Sequence, residues 1–128
     1  MAALDRDRRA TRTTKTTSLD ELVAALIESW NDRDARLFGS LFREGADYVT
    51  GQGSSIKGPN AIADLLVSGK AEKVILNGGP SIRVDGDAAS VVFSWRSGSS
   101  ARRGVITFAA SRHDDGWYID RLRNTDAA

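Results

Sequence analysis

The chain has 128 residues, 41% of them hydrophobic and 27% charged, values that suit one globular domain with a single core and argue against disorder throughout. It contains no cysteine and one histidine, which excludes a disulfide scaffold, a thiol nucleophile and a cysteine or multi-histidine metal centre. The net charge is only +1, and no apolar run approaches the roughly 18 residues needed to cross a bilayer, so no membrane partner is expected.

The charge is unevenly spread. Residues 1–17 hold Arg6, Arg8, Arg9, Arg12 and Lys15 against Asp5 and Asp7, a local +3, and carry almost no apolar side chains. This segment is expected to be a disordered basic tail ahead of a single domain spanning 18–128. The remainder, with 13 basic and 15 acidic residues, is slightly acidic and shows no basic stripe interleaved with aromatics. Nucleic acid is therefore not an expected partner. The N-terminus lacks the apolar core of a signal peptide, and a cytoplasmic location is expected.

Ser18-Leu19-Asp20-Glu21 reads as a capping box, followed by Leu19, Leu22, Val23, Leu26, Ile27 and Trp30 at helical spacing, which predicts an amphipathic helix to about Asn31. Asp34 is placed to cap a short second helix with an apolar stripe of Leu37, Phe38, Leu41 and Phe42. Residues 46–50 alternate and contain Tyr48 and Val49, which predicts a strand, with a turn at Gly51 and Gly53. Gly58-Pro59 opens a third helix with Ile62, Leu65 and Leu66 on its apolar face.

From Lys73 onward the pattern changes to short alternating runs: 74–76, 82–84, 89–97, 104–111 and 117–124. The breaks are supplied by Asn77-Gly78-Gly79-Pro80, Asp85-Gly86-Asp87, Ser97 to Ser100 and the turn that contains His113. Helices followed by an antiparallel meander imply an α+β domain with the N-terminal helices covering one face of a curved sheet.

In the last strand, simple alternation puts Trp117, Ile119, Arg121 and Arg123 on one face and Tyr118, Asp120, Leu122 and Asn124 on the other. If the first face is buried, an apolar floor with Ile119 leads to a cationic rim fitted to a small polar or anionic molecule. The alternative is that both arginines extend to solvent at the sheet edge. No phosphate-binding glycine loop and no metal-ligand spacing occurs, so neither a cofactor nor a metal is expected.

Four stretches carry a family likeness: Trp30-Asn31-Asp32-Arg33-Asp34; 41–49, Leu-Phe-Arg-Glu-Gly-Ala-Asp-Tyr-Val; 57–62, Lys-Gly-Pro-Asn-Ala-Ile; and Gly116-Trp117-Tyr118-Ile119 with Asn124-Thr125. Together they resemble the SnoaL-like, nuclear-transport-factor-type superfamily, and most of all its SgcJ/EcaC group. The resemblance implies a cone in which the curved sheet wraps the helices and leaves a pocket at its open end. It also implies a homodimer formed through the outer face of the sheet. That superfamily combines cofactor-free isomerases, cyclases, dehydratases and hydrolases, many of natural-product and polyketide type, with non-catalytic binding modules, so the fold does not select a reaction.

Set against the isomerase pattern of the superfamily, Thr50, Leu26 and about Phe108 stand where its base, tyrosine and second acid would be, and all three polar groups are missing. The epoxide-hydrolase pattern is met in part, since Tyr48 and Thr50 fall where a Tyr and an Asn hold water. Where the SgcJ/EcaC pattern has a histidine, this chain has Arg123, which favours electrostatic stabilisation over proton transfer.

The expected catalytic groups are thus Tyr48, as a hydrogen-bond donor, with Arg121 and Arg123 holding an oxyanion. Thr50, Phe93, Trp95 and Ile119 are the expected small-molecule contacts. Each has a plainer reading, with Tyr48 as a core aromatic and Phe93 and Trp95 as packing or a dimer face. Asp47 is expected to face away from the cavity.

Overall fold

The computed structural model describes residues 18–68, 72–114 and 116–126, so the basic tail at 1–17 lies outside the described residues. Helix α1 spans Leu19–Asp32, and its Ser18 cap accepts the Glu21 amide at 3.1 Å, the contact expected from the capping box. It ends at Arg33, which takes the left-handed conformation (φ 58°) and turns its amide back onto the Ser29 and Trp30 carbonyls. A residue with a Cβ is disfavoured there, and the Arg33 guanidinium compensates by donating to the Leu66 carbonyl at 3.1 Å.

Helix α2 (Ala35–Ser40) is capped by Asp34, which accepts from the Leu37 amide at 3.1 Å. It is shorter than its apolar stripe suggests. The Leu41 carbonyl accepts from the Ile119 amide at 2.8 Å, which draws the chain into the sheet, and Phe42 opens strand β1 (Phe42–Val49). Strand β2 (Ser55–Lys57), not expected from the sequence, folds back on β1 and pairs Asp47 with Lys57. Helix α3 (Pro59–Ser68) follows, and then β3 (Val74–Leu76), β4 (Ser81–Asp85), β5 (Ala88–Ser97), β6 (Arg103–His113) and β7 (Gly116–Asp126).

The strands form one curved, unclosed sheet of order β2-β1-β7-β6-β5-β3, with β4 also paired to β5. Every pairing among the described residues is antiparallel except β1 beside β7, which run parallel. The helices fill the concave side. Leu22 and Leu26 of α1, Phe38 of α2, and Ile62 and Leu66 of α3 are buried against Val91, Phe93, Phe108, Ile119 and Leu122. The α2 and α3 helices approach closely at Gly39, where an added Cβ would lie 3.0 Å from the Ala63 Cβ and the Pro59 carbonyl oxygen. No helix among the described residues is long and apolar enough to cross a membrane.

One irregularity decides what faces the hollow. Along the β6–β7 ladder Ala110 pairs with Ile119 but Ala109 pairs with Arg121, leaving Asp120 unpaired as a bulge. Its carboxylate is held by Ser111 Oγ and by Arg43, both at 3.0 Å. The extra residue reverses the alternation, so Trp117 and Ile119 face inward, and beyond the bulge Leu122 and Asn124 do so. Arg121 and Arg123 are exposed on the outer face, which corrects the expectation that they form an inner cationic rim.

Candidate functional site

A cavity of about 250 Å³ lies between α1 and the concave face of the sheet. Its inner wall is apolar, made by Leu26, Phe38, Phe93 and Leu122, all buried. Less buried residues mark its mouth: Thr50, Gly51, Glu72, Arg102 and Asn124. Tyr48, Thr50, Phe93 and Trp95 line the cavity, where the sequence reading placed ligand contacts. Ile119 does not, since it is wholly buried beneath the wall as core.

The terminal turn of α1 builds one side of the mouth. Trp30 lines the cavity and donates through Nε1 to the Glu72 carbonyl at 3.0 Å. Asn31 grips the backbone of Val74 from both sides, with Nδ2 to its carbonyl at 2.9 Å and its amide to Oδ1 at 2.8 Å. The Trp-Asn pair in the first family-like stretch is therefore a clamp that fixes the start of β3, and no feature of it points to chemistry.

Tyr48 stands at the centre. Its ring packs 6.4 Å from Phe38 and 6.3 Å from Phe42, and the residue is only 5% exposed. Its hydroxyl has no hydrogen-bond partner among the described residues. Burial, with the charge of Asp126 adding to it, pushes the phenol up to about 12. Tyr48 is thus a proton-bearing donor at neutral pH and neither a base nor a nucleophile. Asp47 beside it faces the other side and pairs with Lys57 at 2.9 Å, as expected.

The mouth carries an ion-pair network that the sequence did not reveal. Arg102 bridges Glu72 at 3.1 Å and Asp126 at 2.9 Å, with its guanidinium carbon 5.8 Å from the centre of the Trp95 ring. Hydrogen bonds from Ser100 and Ser97, then Ser99 and Arg102, hold the Glu72 carboxyl below its ordinary range against an opposing effect of burial. Bonding to Asp126 raises Arg102 in turn. Glu72 is therefore a weak and engaged base. No group of three His, Cys, Asp or Glu residues that could hold a metal occurs among the described residues.

Trp95 connects the mouth to the last strand, donating through its indole N–H to Asn124 Oδ1 at 3.0 Å. Simple alternation puts Asn124 on the face opposite Arg123, away from the expected cationic rim. The bulge at Asp120 turns it inward instead.

No family model matches the chain, and no curated protein matches it. Among solved structures, it is similar to an NTF2-like protein with a cystatin-like fold from Novosphingobium aromaticivorans, with 25% identity, a TM-score of 0.71, and 97% of this chain and 84% of that one covered. An NTF2-like superfamily protein from Salmonella enterica aligns at 20% identity and a TM-score of 0.71, covering 84% of this chain and 87% of that one. A protein of unknown function from Mycobacterium tuberculosis aligns at 18% identity and a TM-score of 0.73, covering 85% and 74%. The fold is that of the NTF2-like, cystatin-like cone.

Proposed function

We propose that the protein binds a small, mostly apolar molecule in the cone, using no cofactor. The carrying observation is the Tyr48 hydroxyl: a phenol oxygen without a protein partner, opening onto a mostly apolar cavity, is a donor held ready for a ligand oxygen. Size narrows the ligand further. The cavity of about 250 Å³ exceeds the roughly 150 Å³ that accepts benzene and falls short of the roughly 300 Å³ at which drug-sized sites begin. One or two fused rings fit that interval.

Trp30 and Trp95 both line the cavity and supply an intrinsic reporter. Titration with one- and two-ring aromatic probes should change tryptophan fluorescence saturably, and Leu65→Trp, which fills the space, should abolish the change. A wild-type signal that stays linear up to the solubility limit of every probe would sink the reading.

A second reading is catalytic: a cofactor-free isomerase, cyclase, dehydratase or hydrolase of natural-product or polyketide type, akin to the SgcJ/EcaC group and located in the cytoplasm. Its support is Tyr48, with Thr50 beside it, as the source of hydrogen bonds to a reacting oxygen. The one carboxylate among the described lining residues, Glu72, is tied up by serines and Arg102, so turnover would depend on electrostatic stabilisation more than on proton abstraction. Arg121 and Arg123, on the outer face, take no part in it.

The same outer face supports the proposal of a homodimer. Val92 is 40% exposed there, with Ser90, Val105, Thr107 and Ala109 as uncharged neighbours across β5 and β6, a patch suited to meeting its own copy about a two-fold axis. Sedimentation at micromolar concentration should give twice the 13.8 kDa chain mass, and a Val92→Glu variant should sediment as the monomer. A monomeric wild type would remove this part of the proposal.

A further inference from the structure

The hydrogen-bonding polarity of the cavity is fixed more tightly than its shape. An indole N–H can only donate, so the atom of Asn124 that meets Trp95 Nε1 at 3.0 Å must be the amide oxygen. The Asn124 Nδ2 group is then forced to point elsewhere, and it has no acceptor among the described residues. Trp95 reaches Asn124 by laying its ring across Gly104 of the intervening strand, where a Cβ would stand 2.7 Å from ring atoms Cε2 and Cζ2. The amide orientation is therefore held by three strands at once.

Tyr48 lies opposite Leu122 in the parallel β1–β7 pair, and Asn124 follows two residues later on the same inward face. Two donors without protein acceptors, the Tyr48 O–H and the Asn124 N–H, thus line one cavity from neighbouring strands. No unoccupied acceptor of comparable strength balances them, because the Asn124 oxygen and the Glu72 carboxylate are already engaged.

We propose that the ligand of this cavity is an uncharged molecule whose carbonyl oxygen is received jointly by Tyr48 and Asn124. This assignment rests on the reading of the cavity as a ligand site. Anions are disfavoured by the rim, where Glu72 and Asp126 outnumber Arg102 and already occupy its guanidinium. The arrangement reverses the expectation of an anion held by arginines.

The test compares 2-indanone, indane and indane-2-carboxylate, which share a bicyclic frame and differ in the oxygen function. The ketone is expected to bind wild-type protein about tenfold more tightly than indane, as two modest hydrogen bonds would give. Its infrared carbonyl band should move to lower frequency on binding. Tyr48→Phe and Asn124→Asp should each cut the ketone preference and return the band toward its free position. Asn124→Asp is the sharper variant, since it keeps an acceptor for Trp95 and turns the donor into a charged acceptor that repels a carbonyl oxygen. Equal binding of ketone and hydrocarbon with an unshifted band would overturn the donor pair while leaving the cavity reading intact. Tighter binding of the carboxylate than of the ketone would overturn the neutral ligand. Failure of all three probes to bind would remove the cavity reading and this assignment with it. The wild-type comparison decides between these outcomes even if a variant fails to fold.

Discussion

Gly104→Ala is expected to destabilise the protein by about 2–3 kcal/mol, the upper range for adding one methyl group to a filled interior. For a chain of this length that corresponds to a fall of about 10 °C in Tm. The reason is spacing and not backbone freedom. An added Cβ would stand 2.7 Å from the Thr125 carbonyl oxygen and 2.7 Å from two atoms of the Trp95 indole. The carbonyl belongs to the stretch of β7 laddered to β6 through Thr125 and cannot retreat without disturbing that ladder, so the indole must tilt. Tilting costs the Trp95 to Asn124 hydrogen bond and the contact of Arg102 with the ring. Thermal unfolding followed by circular dichroism, with tryptophan emission recorded on the same samples, checks both parts. A Tm within about 2 °C of wild type with unchanged emission would mean that the ring does not cross the strand at this residue.

The same strands show what a sequence reveals and where it misleads. Helix starts were legible because local chemistry sets them: Ser18 and Asp34 bond to amides three residues on, whatever the rest of the fold does. The long strands were legible because β5 alternates without interruption, with Ala89, Val91, Phe93, Trp95 and Ser97 buried in turn. β2 was missed because three residues, none of them fully buried, carry too short a pattern to register.

The error in β7 has a different origin. Strict alternation was carried through Asp120, whose bulge is maintained by Ser111 and Arg43, residues 9 and 77 positions away. A trace of it was nevertheless present. The large apolar residues Trp117, Ile119 and Leu122 stand two and then three positions apart, and no regular strand can bury all three on one face. That spacing locates the bulge between 119 and 122 and places Asn124, not Arg123, in the hollow. Nothing comparable announces Arg102. Its partners Glu72 and Asp126 are 30 and 24 residues distant and become neighbours only when the sheet curves.

Tyr48→Phe is expected to leave the protein as stable as wild type at pH 7, within about 1 kcal/mol, because the hydroxyl it removes opens onto the cavity and bonds no protein group. The two proteins should separate only at high pH. The phenol sits near 10 in the unfolded chain and at about 12 in the folded one. Below pH 10 both states hold the proton and the hydroxyl adds no pH dependence. Between 10 and 12 the unfolded chain releases its proton while the folded chain keeps it, so wild-type stability falls as pH rises. The loss is about 1.4 kcal/mol per pH unit and about 2–3 kcal/mol across the interval. Other groups titrate there in both proteins and cancel in the difference. Urea unfolding of the pair from pH 7 to 11.5 should therefore show the Phe variant gaining on wild type above pH 10. Parallel profiles would mean that the hydroxyl is solvated, whereas a Phe variant weaker by more than about 1 kcal/mol at pH 7 would mean that it already has a partner. The same shift keeps Tyr48 protonated throughout the physiological range, so any ligand bond it donates should be insensitive to pH between 6 and 9.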